Sequence, residues 1–199
     1  MINGKKMGLG ILSYKAHDTL KKTLASLEQQ NVGSFFDDYV IYFNDFCDQD
    51  KEIADDFSYR AVGGSNIGFT AQQQLAEHID ADYIVLIQND CPLIETFSEL
   101  EKQLTRAVEL IEAGQIDLMR LRHQWHVGEG FCDVEKYAGF YNISAVNEAF
   151  IAMEHGLDEK GLKHSLTKHF KIGVCKGLFT HNRFDDSFRK NHPFYNKKI

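Results

Sequence analysis

The chain has 199 residues, 43% of them hydrophobic, enough for one well-filled domain. Its formal net charge of −7 argues against nucleic acid or an anionic membrane as the main partner. No apolar run approaches the roughly 20 residues that span a bilayer. The N-terminal MINGKKMGLGILSYK has no apolar core with a small-residue cleavage site, so a cytoplasmic protein is expected.

In chain order, residues 7–13 (MGLGILS) read as a first strand. Asp18 is a candidate cap for a helix carrying Leu20, Leu24 and Leu27, with Asn31 and Gly33 ending it. A second strand covers 38–43 and closes on Asn44-Asp45. A short acidic helix follows over 49–56, then a weak strand over 59–62 before Gly63-Gly64. Ser65 or Asn66 caps the next helix, whose apolar face is Ile67, Ala71, Leu75 and Ile79. The strand 83–87 is continuously apolar, as expected when both faces are buried in a parallel sheet. It runs into Gln88-Asn89-Asp90. Phe97, Leu100, Leu104, Val108 and Ile111 give a periodic helix to Gly114, and 116–121 is a fifth strand.

Four alternations of strand and helix over 7–121 imply an α/β fold with a mostly parallel sheet flanked by helices and right-handed crossovers. The remainder, 122–199, is richer in His and Phe, with helix candidates at 146–155 and 159–170 and an apolar segment at 172–179. No repeat or Pro/Gly/Ser linker divides the chain, so a single domain over 1–199 is expected. The cysteines Cys47, Cys91, Cys132 and Cys175 form no CxxC pair; they read as free thiols in a reducing cytosol rather than a disulfide or zinc site. His123 with His126, and His164 with His169, lack a companion ligand at metal spacing.

Three polar loops converge on the carboxyl edge of this sheet, where open α/β folds bind ligands. They are Ser13-Tyr14-Lys15-Ala16, Asn44-Asp45 and Gln88-Asn89-Asp90. Asp45 suits a base or ribose edge and Tyr14 a stacked base, although Asn-Asp after a strand is also ordinary turn chemistry. Gly63-Gly64-Ser65-Asn66-Ile67-Gly68 serves either as a tight turn with a cap or as a phosphate-binding helix start. It is neither a GxGxxG fingerprint nor a P-loop.

LSYKAHDTLKKTLASL, VIYFND and GGSNIGFTAQQQLAEHIDADYIVLIQNDC, in that order and spacing, resemble the N-terminal half of GT-A fold nucleotide-sugar glycosyltransferases, family 2-like enzymes in particular. The resemblance covers 7–121 and is loose beyond. It implies a GT-A-type, Rossmann-like sheet in which 7–121 is the nucleotide-sugar-binding half and 122–199 the acceptor-binding half with a C-terminal tail. It assigns Ser13, Tyr14, Asn44, Asp45, Asn66 and Asn89 to the nucleotide. Asp90 becomes the carboxylate for Mn²⁺ or Mg²⁺ on the donor diphosphate. Gln88 departs from the family, standing where an Asp-x-Asp motif has its first acid.

The resemblance also implies a C-terminal metal ligand, His181, with Arg183 able to meet a phosphate. The acceptor base falls at Asp158 or Glu159, with Asp133 and Glu154 in reserve, and Trp125 in HQWHVGEGF suits a sugar ring. The implied activity is transfer of a sugar from a nucleotide-diphosphate donor to a glycan or other hydroxyl, with inversion. A non-catalytic nucleotide-sugar or glycan-binding module is the alternative. A sugar nucleotidyltransferase ranks lower, because the first loop lacks a Gly-rich basic run for a triphosphate.

Overall fold

The computed structural model describes residues 1–68, 70–122, 138–146 and 170–180. The elements are β1 (Met7–Ser13), α1 (His17–Gln29), β2 (Asp38–Asn44), α2 (Asp48–Asp56), β3 (Arg60–Gly64), α3 (Thr70–Glu77), β4 (Tyr83–Gln88), α4 (Phe97–Glu112), β5 (Leu118–Arg122), β6 (Ala138–Asn142) and β7 (Ile172–Phe179). They build one seven-stranded sheet in the order β3-β2-β1-β4-β6-β5-β7. The mostly parallel sheet expected from the alternation is present: β3-β2-β1-β4 are parallel throughout, and β5 pairs β7 parallel.

The strand β6 is the element that the sequence pattern misses. It is antiparallel to both β4 and β5 and lies between them, so β5 does not pair with β4. Its sequence, AGFYN, is five residues long and does not alternate, leaving no period to detect. The apolar segment 172–179 is β7, an edge strand.

Period-two alternation along the strands feeds two cores, one on each face. Leu9, Ile11, Ile41, Phe43, Val85 and Ile87 pack under α1, α2 and α4 with Leu20, Leu24, Ile53, Leu100 and Leu104. Val40, Tyr42, Ile84 and Leu86 pack under α3 with Ala71 and Leu75. The glycines of β1 allow α3 to sit close. A Cβ at Gly10 would stand 2.8 Å from Leu86 Cδ2 and 3.0 Å from Leu75 Cδ2.

Two helix starts differ from expectation. Asp18 does not cap α1; the cap position is Ala16, without a side-chain bond, and Asp18 falls in the first turn where its charge favours the helix dipole. Ser65 and Asn66 do not cap α3, which begins only at Thr70. Asn66 instead closes a turn, its Oδ1 accepting from the Gly68 N–H at 3.0 Å. That competition from a short polar side chain is what keeps Asn out of helix interiors. The expected stops hold: Asn31 adopts the left-handed conformation (φ 53°) just past α1, and Gly114 (φ 65°) just past α4.

Candidate functional site

Two winding directions meet at β1 and β4. From β1 the chain steps through α1 to β2 and through α2 to β3, both helices on one face. It then returns through α3, on the opposite face, to β4 on the other side of β1. The loops leaving the carboxyl ends of β1 and β4 therefore diverge, which is the place where doubly wound sheets open a ligand crevice.

Pairing brings the expected loops together on that edge. Ser13 sits beside Phe43, Leu12 beside Gln88, and Asn44 beside Gly64. Asn89 bridges the crevice floor: its N–H donates to the Leu12 carbonyl at 2.9 Å and its Nδ2 to Ser13 Oγ at 3.4 Å. Asn44 is buried and spends its amide on the turn after β3, accepting from the Ile67 N–H at 3.3 Å and donating to the Gly68 carbonyl at 3.4 Å. Both asparagines thus shape the walls. Asn66 belongs to the same turn.

Tyr14 and Asp45 face outward. The Tyr14 side chain is 49% exposed, and Asp45 forms an ion pair with Lys15, whose Nζ lies 5.6 Å from the Tyr14 ring centroid. Hydrogen bonding to Asp45, followed by its charge, raises the Lys15 pKa, so the Lys15 ammonium stays charged through the neutral range. Lys15 (φ 46°) and Asp45 (φ 65°) are both in left-handed backbone, which a lysine rarely adopts and which collects at functional loops. In sequence Lys15 is one residue of the loop after β1, with nothing to mark its pairing with Asp45.

Asp90 is 8% exposed at the end of the β4 loop. Burial first, with the Asp90 charge second, pushes the neighbouring Cys91 thiol well up, while the Arg122 guanidinium pulls it down. Arg122, 1% exposed at the carboxyl end of β5, therefore lies close enough for its charge to reach the Cys91 thiol. A second Arg closing the short strand LMRLR gives no signal in sequence.

The β4 loop is held from two sides. One face of α1 supplies three polar side chains at helical spacing. Thr23 Oγ1 donates to the Asn89 carbonyl at 2.7 Å, Ser26 Oγ accepts from the Leu93 N–H at 2.9 Å, and Gln30 Oε1 accepts from the Phe97 N–H at 3.2 Å. On the other side, the Ile94 N–H donates to the Leu178 carbonyl at 3.0 Å and the Thr180 N–H to the Pro92 carbonyl at 3.1 Å. The end of β7 is thereby tied two residues beyond Asp90. Trp125, Asp133, Glu154, Asp158, Glu159, His181 and Arg183 lie outside the described residues, as do Cys132, His123, His126, His164 and His169.

No helix among the described residues is long and apolar enough to cross a membrane. No protein-family profile matches the chain, and no curated protein sequence does either. Solved structures do match. S. aureus TarS 1–349 in complex with UDP aligns over 93% of this chain and 62% of its own, at TM-score 0.64 and 11% identity. Mannosyltransferase PcManGT from Pyrobaculum calidifontis, in complex with GDP-Man and Mn²⁺, aligns over 94% and 59%, at 0.59 and 8%. Glucosyl-3-phosphoglycerate synthase from Mycobacterium tuberculosis, in complex with Mn²⁺, UDP and glucosyl-3-phosphoglycerate, aligns over 93% and 75%, at 0.57 and 12%. The chain spans about 60% of the length of TarS 1–349. At such identities the likeness is one of fold: the chain has the GT-A glycosyltransferase fold expected from its motifs.

Proposed function

We propose that the chain transfers a sugar from a nucleotide-diphosphate donor to a hydroxyl acceptor, with inversion and with Mn²⁺ or Mg²⁺ as cofactor. The observation that carries this reading is the buried Asp90 carboxylate at the β1/β4 crevice, with the end of β7 tied to its loop. Neighbours of the same fold bind UDP or GDP-mannose, two of them with Mn²⁺, which supports the donor class.

In this reading the nucleobase lies on Tyr14 and against Asp45, with Lys15 holding that carboxylate. Ser13, Asn44, Asn66 and Asn89 form the floor and walls. The donor set fits a hard divalent ion: a carboxylate oxygen from Asp90, with the amide oxygen of half-buried Gln88, two residues earlier, as the weaker ligand. His181 follows Thr180 directly, so it is the C-terminal residue proposed to share the ion, and imidazole favours Mn²⁺ over Mg²⁺. When bound, the ion neutralises charge developing on the departing diphosphate.

The remaining work falls to side chains. Asp158 or Glu159 takes the acceptor hydroxyl proton as its oxygen bonds to the anomeric carbon. The bond from that carbon to the diphosphate oxygen breaks, and its electron pair leaves with the nucleotide. Arg183 meets a phosphate oxygen, and Trp125 packs against the acceptor. Residues 7–121 and 122–199 act as donor and acceptor halves of one domain, and the free thiols Cys47, Cys91 and Cys175 suit a reducing cytoplasm.

Calorimetric titration of UDP, GDP and their sugars, with and without Mn²⁺, tests the reading. Metal-dependent binding of one nucleotide is expected, and Asp90→Ala should lose the metal-dependent part and the transfer activity together. Transfer that survives Asp90→Ala overturns the mechanism. Gln88 in place of the first acid favours a second reading, a nucleotide-sugar-binding module; turnover of the donor by the isolated protein excludes it.

A further inference from the structure

Away from Asp90, on the other side of β1, three ligating side chains of different chemistry meet. His17 opens α1, Cys47 is the N-cap of α2, and Asp50 lies in the first turn of α2. His17 Nε2, Cys47 Sγ and an Asp50 oxygen all lie within 4.8 Å of one another. His17 Nε2 is 2.8 Å from Asp50 Oδ1, and the Cys47 N–H donates to Asp50 Oδ2 at 3.0 Å.

We propose that His17, Cys47 and Asp50 form a second metal site, built for Zn²⁺ and distinct from the donor ion at Asp90. It does not rest on the glycosyltransferase reading. The ligand set is one imidazole, one thiolate and one carboxylate, three protein ligands that leave a fourth tetrahedral position for water or an incoming group. Thiolate and imidazole select Zn²⁺ over the hard ions that a diphosphate attracts.

Zn–N, Zn–O and Zn–S lengths of about 2.0–2.3 Å put tetrahedral ligands roughly 3.3–3.8 Å apart. His17 and Asp50 are slightly closer than that, and the exposed Cys47 thiol, which faces the Asp50 N–H in the capping box of α2, completes the triangle. Binding replaces the His17–Asp50 hydrogen bond by two bonds to the ion; the thiol proton goes to solvent, and the ring proton moves from His17 Nε2 to Nδ1 so that Nε2 can ligate. Asp50 is already oriented: its side chain is 2% exposed and one oxygen is fixed by the Cys47 N–H, the kind of outer support that metal sites use.

The residue choice at the cap adds a separate argument. Ser, Thr, Asp and Asn are the strong N-caps because their oxygens accept well, whereas a thiol accepts weakly. Cysteine at this position gives up capping quality and gains a soft ligand. Its placement two residues after Asp45, with His17 two after Lys15, means that a bound ion would clasp the β1 and β2 loops together.

Co²⁺ is the probe. Titrating it into the metal-free full chain should give a thiolate-to-cobalt charge-transfer band in the near ultraviolet and tetrahedral d–d bands in the visible, with Zn²⁺ displacing it. Cys47→Ser should abolish the charge-transfer band while keeping the fold, because serine is a better cap. His17→Ala should weaken Zn²⁺ affinity by more than about tenfold, since outer-sphere losses alone cost 10- to 100-fold. Asp90→Ala should leave the band unchanged, which separates this site from the donor ion. No band in the wild-type chain, or a band that persists in Cys47→Ser, overturns the proposal.

Discussion

Thr23→Val isolates the grip of α1 on the β4 loop. Thr23 is fully buried, and its hydroxyl donates to the Asn89 carbonyl at 2.7 Å. Valine has nearly the same shape and helix propensity, so the substitution leaves no cavity and costs little as a helix residue. What it removes is one donor to a part-buried carbonyl, a loss of about 1 kcal/mol. Thr23→Ser keeps the donor and deletes one buried methyl, worth about 1 kcal/mol. Urea denaturation reads both as shifts in midpoint at unchanged slope. The two variants should be destabilised to similar extents yet part in function. Thr23→Val should weaken Mn²⁺-dependent nucleotide binding, because Asn89 precedes Asp90, whereas Thr23→Ser should bind as wild type. Equal binding losses in both, or a Thr23→Val stability unchanged from wild type, would falsify the clamp.

Gly63→Ala should destabilise by roughly 1–3 kcal/mol: at φ 153° a Cβ would meet the Phe43 carbonyl oxygen at 2.3 Å, and backbone cannot give way as a side chain can. A midpoint indistinguishable from wild type would contradict that geometry. Alkaline stability should depend on Tyr59, which packs on Tyr39 at 4.9 Å between ring centroids. Burial, then Tyr39, raises its phenol pKa above the ordinary 10.0, so its contribution is complete below pH 10. Above that the unfolded chain ionises first, and stability falls by up to about 1.4 kcal/mol per pH unit until the folded pKa is reached. Tyr59→Phe should lack that part of the slope, and parallel curves for the two proteins between pH 9 and 11 would refute it.

The parts of this fold that were legible in sequence are those where one physical signal dominates. Leu20, Leu24 and Leu27 repeat at a helical period, residues 83–87 are apolar on both faces, and Asn31 and Gly114 stand where left-handed backbone is needed. The carboxyl-edge loops followed from order alone. What escaped depends on partners distant in sequence. The strand β6 is defined by β4 and β5 and not by a pattern of its own. The start of α3 was misplaced because Asn66 bonds locally in two ways that sequence does not distinguish. Thr23, Ser26 and Gln30 look like ordinary polar helix positions until the loop they hold is folded onto them. The approach of His17 and Asp50 to the Cys47 thiol is equally silent in sequence, because the three come from two separate loop–helix junctions and show no metal spacing.

The position of β6 carries a consequence for how the chain is made. Synthesis delivers β5 before either of its neighbours, since β6 comes from 138–142 and β7 from 172–179. The four parallel strands β3-β2-β1-β4 can pair as soon as residue 88 has emerged. The strand β5, buried in the finished sheet, then has no edge to join until later sequence arrives, and unpaired strands of this kind are prone to aggregate. The long α4 lies against β5, β6 and β7, so during that interval it is the one helix in place to cover β5. A released chain ending at residue 125 should therefore already hold the nucleotide-side loops in register while β5 remains accessible to protease.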